Sequence, residues 1–279
     1  MPPPIPPRNQ PNIVTVPGAA VACDAIPASR VPGAASVGGG GASVPGGSGG
    51  FDPAGLSLSG WFRIAFPGVP WPGTASMGSS GDGVHDLNTA GADPTASTAL
   101  NGFASALFNG TTQYLVGEQN WDQFFGATSG SIVWLANQLS ASADAGAGLR
   151  INNAGFVAQE GGTTTFNLGY STSGYTLAVF NSGASYDEIV LACATGAYNS
   201  GMVTWDGVNV TMRLNSAGIT TLACDGPTTT AIAWNVGKNF LSSFTNMRLA
   251  ELMTASTALT TPNYTNVKSY FNTRYGLAL

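Results

Sequence analysis

The sequence predicts an all-β chain: a two-sheet antiparallel sandwich, closed by a short C-terminal helix and preceded by an extended N-terminal arm. Three observations predict it. Residues 1–50 hold ten Pro, ten Gly and no aromatic residue, which buries too little apolar surface to offset the entropy of ordering. From Phe51 onward, short β-prone runs alternate with turn signals. A single amphipathic helical stripe stands near the C-terminus.

The chain therefore divides into an arm and linker, 1–50, and one folded domain, 51–279. In the arm, Pro2, Pro3, Pro4, Ile5, Pro6 and Pro7 favour polyproline II, which has no internal hydrogen bonds and is held only by outside contacts. The run NIVTV (12–16) is β-prone, and its Ile13, Val14 and Val16 suit addition to a neighbour's sheet edge. These nine residues are the expected anchor. GGGGASVPGGSGG (38–50) reads as a flexible spacer. The roughly 230 residues beyond suffice for one sizeable core.

Within the domain the hairpin MVTWDGVNVTMRLN (202–215) is the clearest element. Asp206-Gly207 is a strong turn pair, after which Val208, Val210, Met212 and Leu214 alternate with Asn209, Thr211 and Arg213. TTFNLGYS (164–171) places Phe166, Leu168 and Tyr170 on one face. YTLAVFNSG (175–183) and YDEIVLACATG (186–196) are apolar on both faces, as inner strands of a sandwich are. SIVWLANQL (131–139) is a further strand. The helix lies in TTPNYTNVKSYFNTRYG (260–276), with Thr261 as N-cap and Pro262 in the first helical position. Tyr264, Val267 and Phe271 form its apolar stripe, Arg274 falls in its last turn and Gly276 stops it.

Composition excludes some functions. Charged residues are 8% of the chain and the net charge is −5, against about 25% charged in an ordinary domain. With no basic run, the chain offers phosphate backbones few partners, so nucleic-acid binding is not expected. A surface built from Ser, Thr, Asn and Gln suits packing against neighbours or contact with sugars; a bias toward Ala and Thr explains it equally well. No run approaches 18 apolar residues, so no membrane insertion is expected. The N-terminus lacks a basic n-region and an apolar h-region, and synthesis in a cytoplasm is the expectation. Cys23, Cys193 and Cys224 cannot all pair within one chain. The last two sit at strand ends as small apolar groups, whereas Cys23 in the arm is open to crosslinking copies. No spacing suggests zinc, and no cofactor is expected.

Three stretches, FDPAGLSLSGWFR (51–63), GSSGDGVHDLN (78–88) and LNGFASALFNGTTQYL (100–115), resemble the opening of concanavalin A-like (laminin G-like) jelly-roll domains. VTWDGVNVTMRLNSA (203–217) resembles that family's hairpin. MRLAELMTASTALTTPNYTNVKSYFNTRYGL (247–277) is similar to its last strand and closing helix. The resemblance spans residues 51–279 and implies two curved antiparallel sheets. It also implies the company such domains keep, in secreted proteins and phage structural proteins, where they bind glycans or serve as rigid decorative modules.

The chain departs from the enzymes of that fold. Their Glu-x-Asp-x-Glu strand is missing; Asp187 and Glu188 are adjacent and point to opposite faces. Glu118, Glu160 and Glu251 stand alone in sequence, while a glycosidase needs two carboxyls about 5–10 Å apart. The one histidine, His85, sits in a turn with nothing to suggest a triad. A non-enzymatic protein is expected. Asp82 and Asp86 flank a Gly-rich turn and are candidate Ca²⁺ ligands, although turn formation alone accounts for Asp-Gly. Trp71, Trp121, Tyr170, Tyr175 and Tyr198 are candidates for stacking on sugar rings, with burial in the sandwich or between subunits as the alternative; Trp205 is assigned to the core. The resulting expectation is a structural virion protein of a tailed bacteriophage: a capsid decoration, head-fibre or tail-associated protein. Its partners would be other virion proteins and copies of itself. The alternative is an adhesion module that recognises cell-surface polysaccharide.

Overall fold

The computed structural model describes Ile13–Thr15 and the chain from Phe51 on, except residues 64–86, 90–91, 93, 118–119, 127, 141–153, 160–165, 171–174, 182–185, 194, 216–218, 225–226, 228–232 and 239–243. In chain order its elements are β1 (Ile13–Thr15), β2 (Gly60–Arg63), β3 (Leu87–Thr89), β4 (Thr95–Leu100), β5 (Phe103–Asn109), β6 (Leu115–Gly117), α1 (Trp121–Phe124), β7 (Gly130–Gln138) and β8 (Ala154–Gln159). They continue with β9 (Phe166–Tyr170), β10 (Tyr175–Asn181), β11 (Tyr186–Ala192), β12 (Tyr198–Trp205), β13 (Asn209–Leu214), β14 (Thr220–Ala223), β15 (Trp234–Val236), β16 (Asn246–Ala255) and α2 (Thr261–Tyr275).

Two sheets stack face to face. The first runs β1-β11-β10-β9-β8-β15-β6-β3; the second runs β14-β13-β12-β7-β16-β5-β4, with β2 also on β16. Among the described strands the ladders are antiparallel, apart from the parallel pair β1–β11. This is the predicted two-sheet sandwich with its closing helix. Within the run 12–16, Ile13–Thr15 form a strand, and its register, Ile13 with Glu188 through Thr15 with Val190, lies on this chain's own sheet rather than on a neighbour's.

Alternation fills the space between the sheets. Phe166, Leu168, Ile189, Leu191, Val210, Met212 and Leu214 all join one core around Trp121, Trp134, Trp205 and Trp234. Rings this large need room, and the opposite strand supplies it. Gly201 lies in register with Trp134, and Gly130 with Trp205. A Cβ at Gly201 would stand 2.0 Å from the Trp134 ring. Cys193 and Cys224 are buried in this core, as expected.

A second core lies on the far side of the second sheet. There Val133, Leu135, Met202, Ala250 and Met253 meet Tyr264, Val267, Phe271 and Tyr275 of α2. The predicted stripe is thus the buried face, and Tyr275 extends it by one turn. Strands β7, β12 and β16 are therefore buried on both faces, beneath the helix. YTLAVFNSG and YDEIVLACATG are β10 and β11, both inner strands of the first sheet as expected, with β9 on one side of the pair and β1 on the other.

Three local expectations are corrected. The N-cap is Thr260, not Thr261: its hydroxyl accepts from the Asn263 N–H while the Asn263 side chain accepts from the Thr260 N–H. Arg274 and Gly276, left-handed at φ +64°, end the helix as predicted. Val208 belongs to the turn and is 66% exposed, because the Asp206 carboxylate draws in the N–H groups of Val208 and Asn209 before the strand begins. Arg213, on the polar side of the hairpin pattern, is buried because that side lies under the start of α2.

Candidate functional site

The two outer faces of the sandwich differ. That of the second sheet is sealed by α2, and the seal is centred on Glu251. Strand β16 carries a bulge between Leu249 and Glu251. Leu249 and Leu252 face the inter-sheet core, whereas Ala250 and Met253 face the helix. The extra residue turns Glu251 toward the helix, where strict alternation from Leu249 would aim it into the core. There the Trp61 indole donates to Oε2 at 2.7 Å, the Tyr270 and Tyr275 hydroxyls donate to Oε1, and Arg274 Nε lies 3.3 Å from Oε1. Burial pushes the carboxyl above the ordinary glutamate range, against the pull of these four partners. Burial and the Glu251 charge together raise both tyrosines. Three of Glu251's four partners lie on α2 and the fourth, Trp61, lies on β2, so this carboxylate clasps the helix to the sheet.

Among the described residues no helix packs on the outer face of the first sheet. One lateral row of register partners crosses all eight strands: Asn88, Val116, Asn235, Ala158, Asn167, Val179, Glu188 and Ile13. Asn235 stands between core residues Trp234 and Val236, and Asn167 between Phe166 and Leu168, so both asparagines point away from the core. Both are buried, and neither carboxamide has a hydrogen-bond partner on nitrogen or oxygen. Two strand spacings, roughly 9.5 Å, separate them. Orphaned amides of this kind need an explanation, because each unsatisfied buried group costs on the order of 1–3 kcal/mol. A hydroxyl-rich ligand offers both the donors and the acceptors they lack. The position of Asn167 is legible in the alternation of TTFNLGYS. Asn235 was missed, and its only signal is a polar residue between Trp234 and Val236.

The sequence candidates fare unevenly. Trp121 opens the one-turn helix α1 with its ring wholly buried, 6.1 Å from Trp205 and 5.3 Å from Phe166. It cannot face a sugar: Asn120 starts a helical turn that rolls the indole into the core. Tyr198 is half-buried, and its hydroxyl donates to Ser105. Burial, opposed by that bond, raises its pKa. Tyr198 packs against the helix-side core, on the opposite side of the molecule from the amide row. Tyr170 ends β9 and Tyr175 starts β10, on the sheet that carries the row. Trp205 is in the core as assigned. Pro2, Pro3, Pro4, Ile5, Pro6, Pro7, Val16, Cys23, Trp71, Asp82, His85, Asp86, Glu118 and Glu160 lie outside the described residues. Among the described residues no group of three or more His, Cys, Asp or Glu is placed to hold a metal ion.

No protein-family model matches the sequence, and no curated protein matches it. Solved structures do share the fold. Domain 4 of AbnA, an extracellular arabinanase from Geobacillus stearothermophilus solved with arabinotriose, superposes with a TM-score of 0.56 at 12% identity, over 76% of this chain and 98% of that one. The binding domain of botulinum neurotoxin serotype D/C gives 0.54 at 10% identity, over 78% of this chain and 52% of that one. Trypanosoma rangeli sialidase, solved with the inhibitor DANA, gives 0.53 at 10% identity, over 76% of this chain and 32% of that one. This chain thus spans about half of the neurotoxin binding domain but matches an entire arabinanase domain. The likeness is one of fold, a two-sheet jelly-roll β-sandwich.

Proposed function

We propose that the chain is a non-enzymatic glycan-binding module whose ligand face is the outer face of the first sheet. The observation that carries this reading is the pair of buried, unpartnered carboxamides, Asn167 and Asn235, on one lateral row. Their neutral donors and acceptors, in a chain that is 8% charged, suit hydroxyl groups better than ionic ones. Both amides are shut from solvent in the free chain, so ligand entry requires the row to open. The fold adds support: the arabinanase domain that it matches over 98% of its length was solved with a bound oligosaccharide. The test is a glycan array with the full chain, followed by calorimetry on the best neutral polysaccharide with wild type and Asn167→Leu/Asn235→Leu. Binding lost in the double variant is the expected result. No binding by wild type, or equal binding by both, overturns the reading.

A second reading concerns the setting, and the arm favours it. Ten Pro and ten Gly in fifty residues, with one short strand docked on a sheet edge, suit a tether between a displayed domain and a larger particle. We propose a virion of a tailed bacteriophage as that particle, with the protein made in the host cytoplasm and incorporated as a decoration, head-fibre or tail-associated component. Deleting residues 2–50 should leave the domain folded and abolish incorporation. A truncated chain that still joins particles at normal copy number would sink this setting and leave the glycan reading untouched.

A further inference from the structure

Arg213 is a largely buried cation held by one hydrogen bond. It lies on β13, in register with Met202, beneath the first turn of α2. Its relative exposure is 9%. One hydrogen bond holds it, from Nη2 to the Thr261 hydroxyl at 2.6 Å, and its Nε–H has no acceptor. No carboxylate pairs with it, and the first turn of the helix contains no acidic residue.

The surroundings make this arrangement more unfavourable. A helix N-terminus carries about half a positive charge, which repels a cation and attracts an anion. Here a buried guanidinium sits against the positive end of a 15-residue helix. The N–H of Asn263 is taken by the Thr260 hydroxyl, that of Tyr264 by the Thr260 carbonyl, and Pro262 has none. The Thr261 N–H is left, beside the hydroxyl that Arg213 already touches. Thr260, Thr261 and Pro262 are exposed, so the helix start is open to solvent, while the Arg213 Nε beneath it is covered and is reached only when the guanidinium turns outward. Guanidinium, hydroxyl and helix N–H together form the donor set that oxyanions select.

We infer that Arg213, Thr261 and the start of α2 form a binding site for a single oxyanion group, carboxylate or phosphate. The site lies across the sandwich from the amide row and stands or falls independently of glycan binding there. An oxyanion would draw the Arg213 guanidinium toward it, accept from its Nε–H and from Thr261, and cancel the two facing positive ends. Its source is either an acidic group on a larger ligand, such as a uronate sugar, or a free inorganic anion.

The test titrates the full chain with inorganic phosphate and, separately, with galacturonate, each against chloride of matched ionic strength. Two readouts are followed: the thermal midpoint and the ¹⁵N shift of the Arg213 Nε–H. Saturable shifts in both are expected, with affinity lower by at least about tenfold in Arg213→Met and largely kept in Arg213→Lys. Saturation by phosphate alone identifies a free-anion site, and tighter binding of galacturonate identifies an acidic-sugar site. An Arg213 resonance that does not respond to either anion overturns the inference, even if Arg213→Met fails to fold. So does a midpoint that rises equally with chloride.

Discussion

If the amides of Asn167 and Asn235 wait for a ligand, they burden the free protein, and replacing them should stabilise it. Each asparagine leaves one donor and one acceptor unpaired inside the protein. Taken near the low end of the range of about 1–3 kcal/mol per unsatisfied buried group, the two groups of each carboxamide cost about 2–3 kcal/mol together. Leucine keeps the same branched skeleton and removes both polar atoms, while its bulkier methyls give back roughly 1 kcal/mol in overpacking. Asn167→Leu and Asn235→Leu should therefore each add about 1–2 kcal/mol. Standing two strands apart, they should add nearly independently, giving about 2–4 kcal/mol together. At roughly 2–4 °C per kcal/mol for a domain of this size, the melting midpoint rises by about 4–16 °C. Urea unfolding is the assay, with an unchanged m-value to show that the denatured state is not the cause. The same variants should lose the glycan. A loss of stability from either substitution would refute the reasoning, because it would mean that the amide was already bonded in the native state.

Other expectations are as direct. Gly201→Ala should destabilise by about 1–3 kcal/mol, since its Cβ would meet the Trp134 ring at 2.0 Å; a neutral outcome in urea unfolding would mean that the ring moves freely. Glu251→Ala should cost about 3–5 kcal/mol, because Trp61, Tyr270, Tyr275 and Arg274 lose their common acceptor; near-UV circular dichroism of the helix-side tyrosines would report the loosening. Alkaline pH should act on the same helix. Burial pushes Tyr264 up to about 12 from 10.0 and raises Tyr270 and Tyr275 as well. The native state keeps these protons while the unfolded chain releases them, so stability is whole below pH 10 and falls as pH rises beyond it. The slope is about 1.4 kcal/mol per pH unit for each tyrosine still protonated, and a flat unfolding profile from pH 9 to 11 would contradict it.

The local periods were legible in the residues because each rests on neighbours in sequence. The stripe of Tyr264, Val267 and Phe271, the turn at Asp206-Gly207 and the inward set Val210, Met212 and Leu214 all fall where the pattern put them. What the sequence could not carry was which second layer each face meets. Arg213 read as an outward polar residue because its own strand cannot announce that a helix starts above it. Trp121 read as a loop residue because Asn120 and Asp122 look like turn formers, while the ring partners Phe166, Trp205 and Trp234 lie far along the chain. Glu251 looked solitary for the same reason: Trp61 is 190 residues away, and Tyr270 and Tyr275 lie on the next element. The amide row is a property of register across strands, invisible from any one of them.

The place of β16 has a consequence for how the protein is made. It sits between β7 on one side and β5 and β2 on the other, with the bulge dividing the stretch that pairs β5 from the stretch that pairs β2. Strands from both ends of the domain thus share a seam whose central strand follows all the others in the chain. Until residue 255 has left the ribosome, β7 and β2 each lack their neighbour, and both faces of the seam, including the one α2 covers, stay uncovered. The domain cannot assemble piecemeal from its N-terminus, and its slow step is the insertion of one late strand between partners already waiting. A nascent chain stalled before Asn246 should therefore be open to protease and to aggregation through its unpaired edges, whereas a chain lacking the arm should fold at an undiminished rate.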